Sequence, residues 1–300
     1  MISTSEWLVT VLALSAVILF DLTLAVIRRH KETSLREATI WTFIYVGLAV
    51  AFGILMPHWA SLASRDEFFA GWLTEYSLSV DNIFIFVIIL ARLKVEKEKQ
   101  QLVLLYGILI AIFLRVILIS IGAAVIAKFA WVFFIFGAFL LYTSWHLFIE
   151  NNEEKEWKEN ALITKLRSRG ASSFTIALVA LGVTDLIFAL DSIPAIFGLT
   201  QNVYVVITAN IFALMGLRQL YFLIGGLMSR LIYLGKGLAI ILAFIGVKLL
   251  FEACHGVSIH EIAGVKTPHI SIAVSLTFIV STLVITTALS LASSRDKKGN

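Results

Sequence analysis

Five carboxylates lie inside long apolar stretches of this sequence, where a charged side chain is costly. They are Asp21, Glu75, Asp81, Asp185 and Asp191. Placing one such group in a bilayer core costs about 2.5–3.5 kcal/mol unless it is paired or hydrated. Because that cost is rarely carried without a role in ion or proton handling, these five acids are the first candidates for function.

Four of the five acids fall into two similar segments. Thr74–Ile83 and Thr184–Ile193 each contain Thr and an acid, then five residues, then Asp, Asn or Ser, and Ile. Six positions along a helix turn through about 600°, so the two acids of one segment point about 120° apart. We therefore expect broken helices if both acids face one site, and Pro194, which lacks a backbone N–H, is a natural place for a break.

The residue types in these segments predict a site for a hard divalent cation. A seven-residue spacing places Asn82 on the face of Glu75, and Ser192 on that of Asp185. Carboxylate, amide and hydroxyl oxygens suit Mg²⁺, Ca²⁺ or Mn²⁺, whereas zinc and copper prefer His and Cys, and the oxygens do not choose among the first three. The predicted metal ligands are Glu75, Asp81, Asn82, Asp185, Asp191 and Ser192.

An alternative interpretation is that the acids serve as structural ion pairs. The apolar stretches also contain three basic residues, Arg115, Arg218 and Lys248. We predict that these three bases and Asp21 act as supporting charges around the site. Both interpretations can hold, because five acids against three bases leave a surplus of two negative charges, which matches one divalent ion.

The elements that must position these residues are membrane-spanning helices. Of the 300 residues, 59% are hydrophobic and only 15% are charged, which excludes a water-soluble fold. A bilayer core is crossed by roughly 20 apolar residues of helix. Nine stretches meet this need: Glu6–Ile27, Ala38–Leu55, Phe68–Leu90, Leu102–Ile126, Phe129–Ile149, Phe174–Leu199, Val203–Leu227, Leu238–Ala253 and Ile270–Ala292.

The distribution of basic residues predicts the orientation of these spans. Of the 24 Lys and Arg, eighteen fall in alternate loops on one side, three fall on the other side, and three lie within spans. Cytoplasmic loops carry the excess of basic residues, so we expect the N-terminus outside and the C-terminus in the cytoplasm.

The two acid segments predict an internal repeat of three helices. Spans three to five (68–149) and six to eight (174–253) would be the copies, joined by a cytoplasmic linker helix at 150–173 and followed by a last span at 270–292. Span three enters the membrane from outside and span six from inside, so the copies would be inverted. An all-α inverted repeat within one domain, 1–300, is typical of transporters.

Other kinds of function find no support in the sequence. Cys254 is the only cysteine, so neither an internal disulfide nor a thiolate metal site can form. Nucleotide-binding and hydrolase motifs are absent, and we predict that the chain is not an enzyme and has no tightly bound cofactor. The basic residues follow the loops, which argues against nucleic acid as a partner.

The two acid segments resemble the signature segments of the TerC family, in its Alx-like branch. The resemblance rests on Glu75–Asn82 and on Asp185 with Phe188-Ala189 and Asp191–Ala195, and it extends from Asp21 to Gly246-Val247-Lys248. It implies a bacterial inner-membrane protein linked to manganese export and to metal, alkaline or tellurite stress. It also implies that Glu75, Asp81, Asp185 and Asp191 belong to the metal site.

Two functions follow as expectations. The first is export of a divalent cation, with Mn²⁺ as the substrate and protons as a candidate coupling ion. The second is a non-transporting membrane factor, a redox modulator or a helper of membrane-protein assembly, that uses the acids structurally. Besides the bilayer, the expected partner is an ion in the first case and other proteins in the second.

Overall fold

The computed structural model describes residues 2–27, 34–129, 131–149, 161–224, 233–257, 261–262 and 265–296, and these residues form helices, their connections and one pair of short strands. The helices are α1 (Thr4–Ile27), α2 (Leu35–Leu55), α3 (Leu62–Arg92), α4 (Lys97–Lys128), α5 (Val132–Ile149), α6 (Ala161–Ser168), α7 (Ser173–Phe197), α8 (Val203–Met215), α9 (Leu217–Ile224), α10 (Leu234–Gly256) and α11 (Ile272–Asp296). Between α10 and α11, β1 (Glu261–Ile262) pairs antiparallel with β2 (Val265–Lys266).

Several helices begin where a polar side chain satisfies the free N–H groups of the first turn. Ser34 accepts from the Glu37 amide before α2, and Ser61 accepts from the Ser64 amide before α3. Ser172 caps α7 and Asn202 caps α8 in the same way. Such caps mark the points where the chain turns at the edge of the helical bundle.

Eight segments of the described helices are long and apolar enough to cross a membrane: Thr4–Leu24, Leu35–His58, Lys99–Lys128, Val132–Ile149, Ser173–Phe197, Val203–Leu223, Leu234–Gly256 and Ile272–Ser293. Each overlaps a predicted span. The remaining predicted span lies in α3, whose 31 residues reach about 46 Å. It carries the polar residues of the first acid segment, so the count of nine stays a prediction.

The helices of the two predicted copies pack in reciprocal pairs. The first helix of one copy packs against the second helix of the other, as α3 does on α8 and α4 on α7. The first helices, α3 and α7, also meet, and the third helices, α5 and α10, form an extensive contact. An exchange of the two copies leaves this pattern unchanged, as a twofold repeat requires.

Equivalent helices of the two copies run antiparallel where they meet. Thr200, just after α7, donates to Glu67 near the start of α3, while Asp185 lies opposite Glu75 further along α3. On the other pair, Gly137 of α5 faces Gly246 of α10, whereas Ser144 donates to the carbonyl of Ala239. These directions support the inverted repeat, which as a whole stays a prediction.

The prediction of helices broken at the acids is wrong. Both α3 and α7 are continuous through their acid segments. Pro194 lies in the last turn of α7, where the missing N–H costs only one hydrogen bond and the helix ends three residues later. The interruption falls instead at Gly216, between α8 and α9, in the seventh predicted span.

The predicted linker helix is described only in its second half. Its residues 161–168 form α6, which packs against the start of α7. The charged residues that open the linker, 150–160, lie outside the described residues.

Candidate functional site

Arg115 lies at the centre of a buried polar cluster formed by both predicted copies. Its side chain is only 1% exposed. Nε donates to Asp185 Oδ2 over 3.1 Å and Nη2 to Asp185 Oδ1 over 2.9 Å, which makes a two-pronged contact. Nη1 forms an ion pair with Glu75 Oε1 and donates to Ser192 Oγ over 3.3 Å. One cation therefore holds three of the six predicted metal ligands.

The packing of α4 against α7 explains how Arg115 reaches both acids. Gly107 of α4 lies beside Leu181 of α7, and Gly122 lies beside Phe197, so the two helices run parallel at close range. Arg115 falls midway between these contacts and faces Asp185. Because α3 crosses α7 in the opposite direction, the first acid of each copy arrives at the same guanidinium.

The cluster contains more acidic than basic side chains. Two carboxylates against one guanidinium leave one charge uncompensated, and the side chains of Glu75 and Arg115 are almost wholly excluded from solvent. Glu75 Oε1 also faces Ser79 Oγ at 3.5 Å, while Oε2 is buried without a hydrogen-bond partner. A buried carboxylate oxygen without a partner is energetically costly, so this atom is poised to bind a cation or a proton.

The structure gives fewer contacts for the three remaining predicted ligands. Asp191 is half-buried and accepts a hydrogen bond from Thr143 Oγ1 of α5 over 3.2 Å. Asn82 is buried in α3, and the side chain of Asp81 lies outside what the structure describes. Within the described part of the chain, no three Asp, Glu, His or Cys side chains come together as metal ligands. The convergence of all four acids stays a prediction.

Two of the four predicted supporting charges, Asp21 and Arg218, form a second cluster. Arg218 Nη2 contacts Asp21 Oδ1 over 2.6 Å, and Tyr45 donates to the same oxygen over 2.7 Å. Lys248 instead donates to Ser275 Oγ of α11 over 3.3 Å. Ion pairs of the kind expected by the structural interpretation therefore exist for Arg115 and Arg218.

A narrow, mostly apolar cavity approaches the Arg115 cluster from the end of the bundle where α3 finishes and α4 begins. Its lining residues are Phe86, Leu104, Gly107, Ile108, Ala111, Leu181, Asp185, Leu214 and Leu217. Asp185 is the one charged residue among them. By the predicted orientation, this side faces the cytoplasm.

Sequence reasoning missed several polar residues of this region. Thr143 and Tyr45, the hydroxyl partners of Asp191 and Asp21, stand in apolar stretches with no motif around them. In the described parts of α3, α8 and α9, three further missed residues have a buried polar atom without a hydrogen-bond partner, Trp72 Nε1, Asn210 Nδ2 and Gln219 Oε1, as does Thr74 Oγ1 of the first acid segment. The signal that could have found Asn210 and Gln219 is their occurrence within a predicted span.

A sequence model of the integral membrane protein TerC family matches residues 60–298. The chain belongs to the TerC family. The matched range begins just before α3 and includes both predicted copies and all of α11, while α1 and α2 precede it. The resemblance seen in the two acid segments is thereby confirmed, and the chain is an integral membrane protein with multiple apolar helices.

Several TerC-like relatives share most of this chain. "Uncharacterized membrane protein Rv2723" of Mycobacterium tuberculosis is 41% identical over 98% of this chain and 81% of the relative. "Uncharacterized membrane protein STKORF319" of Myxococcus xanthus is 37% identical over 74% and 76%. "Putative membrane-bound redox modulator Alx" of Escherichia coli is 33% identical over 89% and 88%. No solved structure matches this TerC chain.

Proposed function

We propose that this TerC protein exports a divalent metal cation, Mn²⁺, from the cytoplasm. The observation that carries the proposal is the meeting of Glu75 and Asp185, matching acids of the two copies, at one buried point. Transporters built from inverted repeats bind their substrate where the two copies meet. A structural ion pair would need only one acid for Arg115, whereas a cation site needs several oxygens.

The donor atoms define the class of ion. Carboxylate, hydroxyl and amide oxygens from Glu75, Asp185, Ser192 and Asn82 are hard ligands, which Mn²⁺, Mg²⁺ and Ca²⁺ accept. The choice of Mn²⁺ among them comes from the family resemblance. Protons compete with a metal for carboxylates, so binding should weaken as the pH falls, and a proton gradient would drive release.

The second candidate is a non-transporting membrane factor, as the printed name of the Escherichia coli relative suggests for that protein. The pairing of Arg115 with two acids and of Arg218 with Asp21 favours a structural use of the charges. Thiol redox chemistry within the chain is limited, because Cys254 is the single cysteine and is buried. Metal flux distinguishes the two candidates.

The test is uptake of radioactive manganese by vesicles reconstituted with the purified full-length protein, under an imposed proton gradient. Uptake is measured through protein whose cytoplasmic side faces the outside of the vesicle. We expect wild-type flux and, in Asp191→Asn, a loss of roughly tenfold or more, because one charge-assisted contact contributes about 1.5–3 kcal/mol. Asp81→Asn, its counterpart in the other copy, should behave alike. Asn keeps the size and one oxygen of Asp but removes the charge.

Asp21→Asn is the matched control, since it neutralises an intramembrane acid that lies outside both copies. It should retain most of the flux. Wild-type flux in Asp81→Asn and Asp191→Asn would reject the exporter and favour the non-transporting factor.

A further inference from the structure

We propose that the Arg115 guanidinium is a tethered competitor of the transported cation, which occupies the carboxylate pair when no metal is bound and leaves when metal enters. This inference rests on the proposed function. It assigns Arg115 a role in the transport cycle. The geometry points to it because the guanidinium contacts Glu75, both oxygens of Asp185, and Ser192.

The guanidinium and a divalent ion compete for the same carboxylate oxygens. With Arg115 between them, Glu75 and Asp185 keep one negative charge, and with a divalent ion in its place they are neutral. A divalent ion that coordinates Glu75 and Asp185 needs the oxygens that Arg115 contacts, and two cations in contact repel each other strongly where the dielectric is low. Metal binding therefore requires Arg115 to withdraw.

A small cavity lies in the direction of this withdrawal, and the guanidinium must widen it to enter. The cavity that ends at Asp185 is lined on the α4 side by Ala111 and Ile108, which lie four and seven residues before Arg115 on the same helix face. Side chains of a helix lean toward its N-terminus, so the Arg115 side chain passes over the small Ala111. A modest rotamer change would move the guanidinium along this face toward the cavity.

Return of the guanidinium would also help the ion to leave. A site with two carboxylates and no internal cation holds a divalent ion tightly, and release is slow. Arg115 replaces the departing charge, so the acids are not left bare in the interior. Loss of a competing arginine therefore strengthens metal binding. Loss of a purely structural arginine would instead disorder the acids and weaken metal binding.

The test measures equilibrium Mn²⁺ binding and Mn²⁺ flux for full-length wild type, Arg115→Ala and Arg115→Lys. We expect Arg115→Ala to bind Mn²⁺ roughly tenfold more tightly than wild type, since a competitor with charge-assisted hydrogen bonds is gone. Its maximal flux and its half-saturating Mn²⁺ concentration should both fall. Arg115→Lys should bind several-fold more tightly than wild type, because an ammonium cannot form the two-pronged contact.

Guanidinium ion in the buffer provides a direct check of competition. It should weaken Mn²⁺ binding to Arg115→Ala, where the vacated space can admit it, but not to wild type. Arg218→Ala is the matched control, because it removes the equivalent arginine of the other copy without opening the acid pair, and it should show neither tighter binding nor sensitivity to guanidinium.

Unchanged or weaker Mn²⁺ binding in a folded Arg115→Ala would overturn the competitor role. The exporter proposal would still stand if the wild type binds and transports Mn²⁺. If Arg115→Ala does not fold, Arg115→Lys decides: tighter binding supports the proposal, and equal or weaker binding rejects it. A wild type that neither binds nor moves Mn²⁺ removes the exporter, and the competitor role with it.

Discussion

Arg115 and Arg218 are matching residues of the two predicted copies, 103 positions apart, yet they have different partners. Arg115 joins Glu75 of its own copy to Asp185 of the other. Arg218 joins Asp21 of α1, which lies outside both copies. The helix that carries Arg115 is continuous, whereas the chain is interrupted at Gly216, two residues before Arg218.

This difference shows how a repeated sequence can acquire two roles. A strict twofold would pair Arg218 with Glu75, as Arg115 pairs with Asp185. Arg115 takes both acids instead, and Arg218 pairs with α1 and, through Tyr45, reaches α2. One arginine thus completes the cluster between the copies, and the other connects the N-terminal helices, which precede the range matched by the family, to the repeat.

The largest difference should appear in stability. Arg115→Ala leaves two buried carboxylates uncompensated and should lower the free energy of unfolding by about 3–5 kcal/mol. Arg218→Ala leaves one partly exposed acid that keeps its Tyr45 hydrogen bond, so about 1–3 kcal/mol should be lost. Unfolding of both variants in mixed detergent micelles measures these values. Equal losses would mean that the two clusters are energetically alike.

Removal of one hydroxyl from each cluster should have an intermediate effect on stability and should show which cluster affects transport. Tyr45→Phe and Thr143→Val each remove one hydroxyl that donates to an intramembrane Asp. Both should cost about 1–2 kcal/mol of stability. Only Thr143→Val should alter the half-saturating Mn²⁺ concentration, because Asp191 is a predicted ligand and Asp21 is not. An equal change of the half-saturating Mn²⁺ concentration in Tyr45→Phe would contradict the interpretation that Asp21 only connects the N-terminal helices to the repeat.

The smallest effect concerns the interruption at Gly216. Its φ of −88° and ψ of −7° are open to alanine, and an added Cβ would meet Tyr45 Cβ at 3.6 Å, an ordinary contact. Gly216→Ala should therefore raise the free energy of unfolding by about 0.4–1 kcal/mol. Gly237→Ala is the contrast, because its Cβ would lie 2.8 Å from Thr286 and must destabilise. A destabilised Gly216→Ala would show that the interruption itself is required.

Much of the fold was predictable because the bilayer imposes simple rules. A long apolar run must form a helix, since no other local structure satisfies its backbone in lipid, and eight of the predicted spans were found this way. The third span was harder, because its acid segment lowers its apolar character. The position of the helix interruption was also not predicted. Pro194 lies in the last turn of α7 without breaking it, whereas Gly216, in an apolar run, gave no clear signal.

The sequence by itself determined that the chain is a membrane protein of the TerC family and which acids are costly inside it, because hydrophobicity and motif spacing are local properties. Only the tertiary structure decided which charges meet. The pairing of Arg115 with Glu75 and Asp185 depends on the parallel packing of α4 on α7 and the antiparallel crossing of α3, contacts between residues up to 133 positions apart. A single arginine has one charge and five donors whatever its neighbours, so its partners follow from packing and cannot be read from its position in the chain.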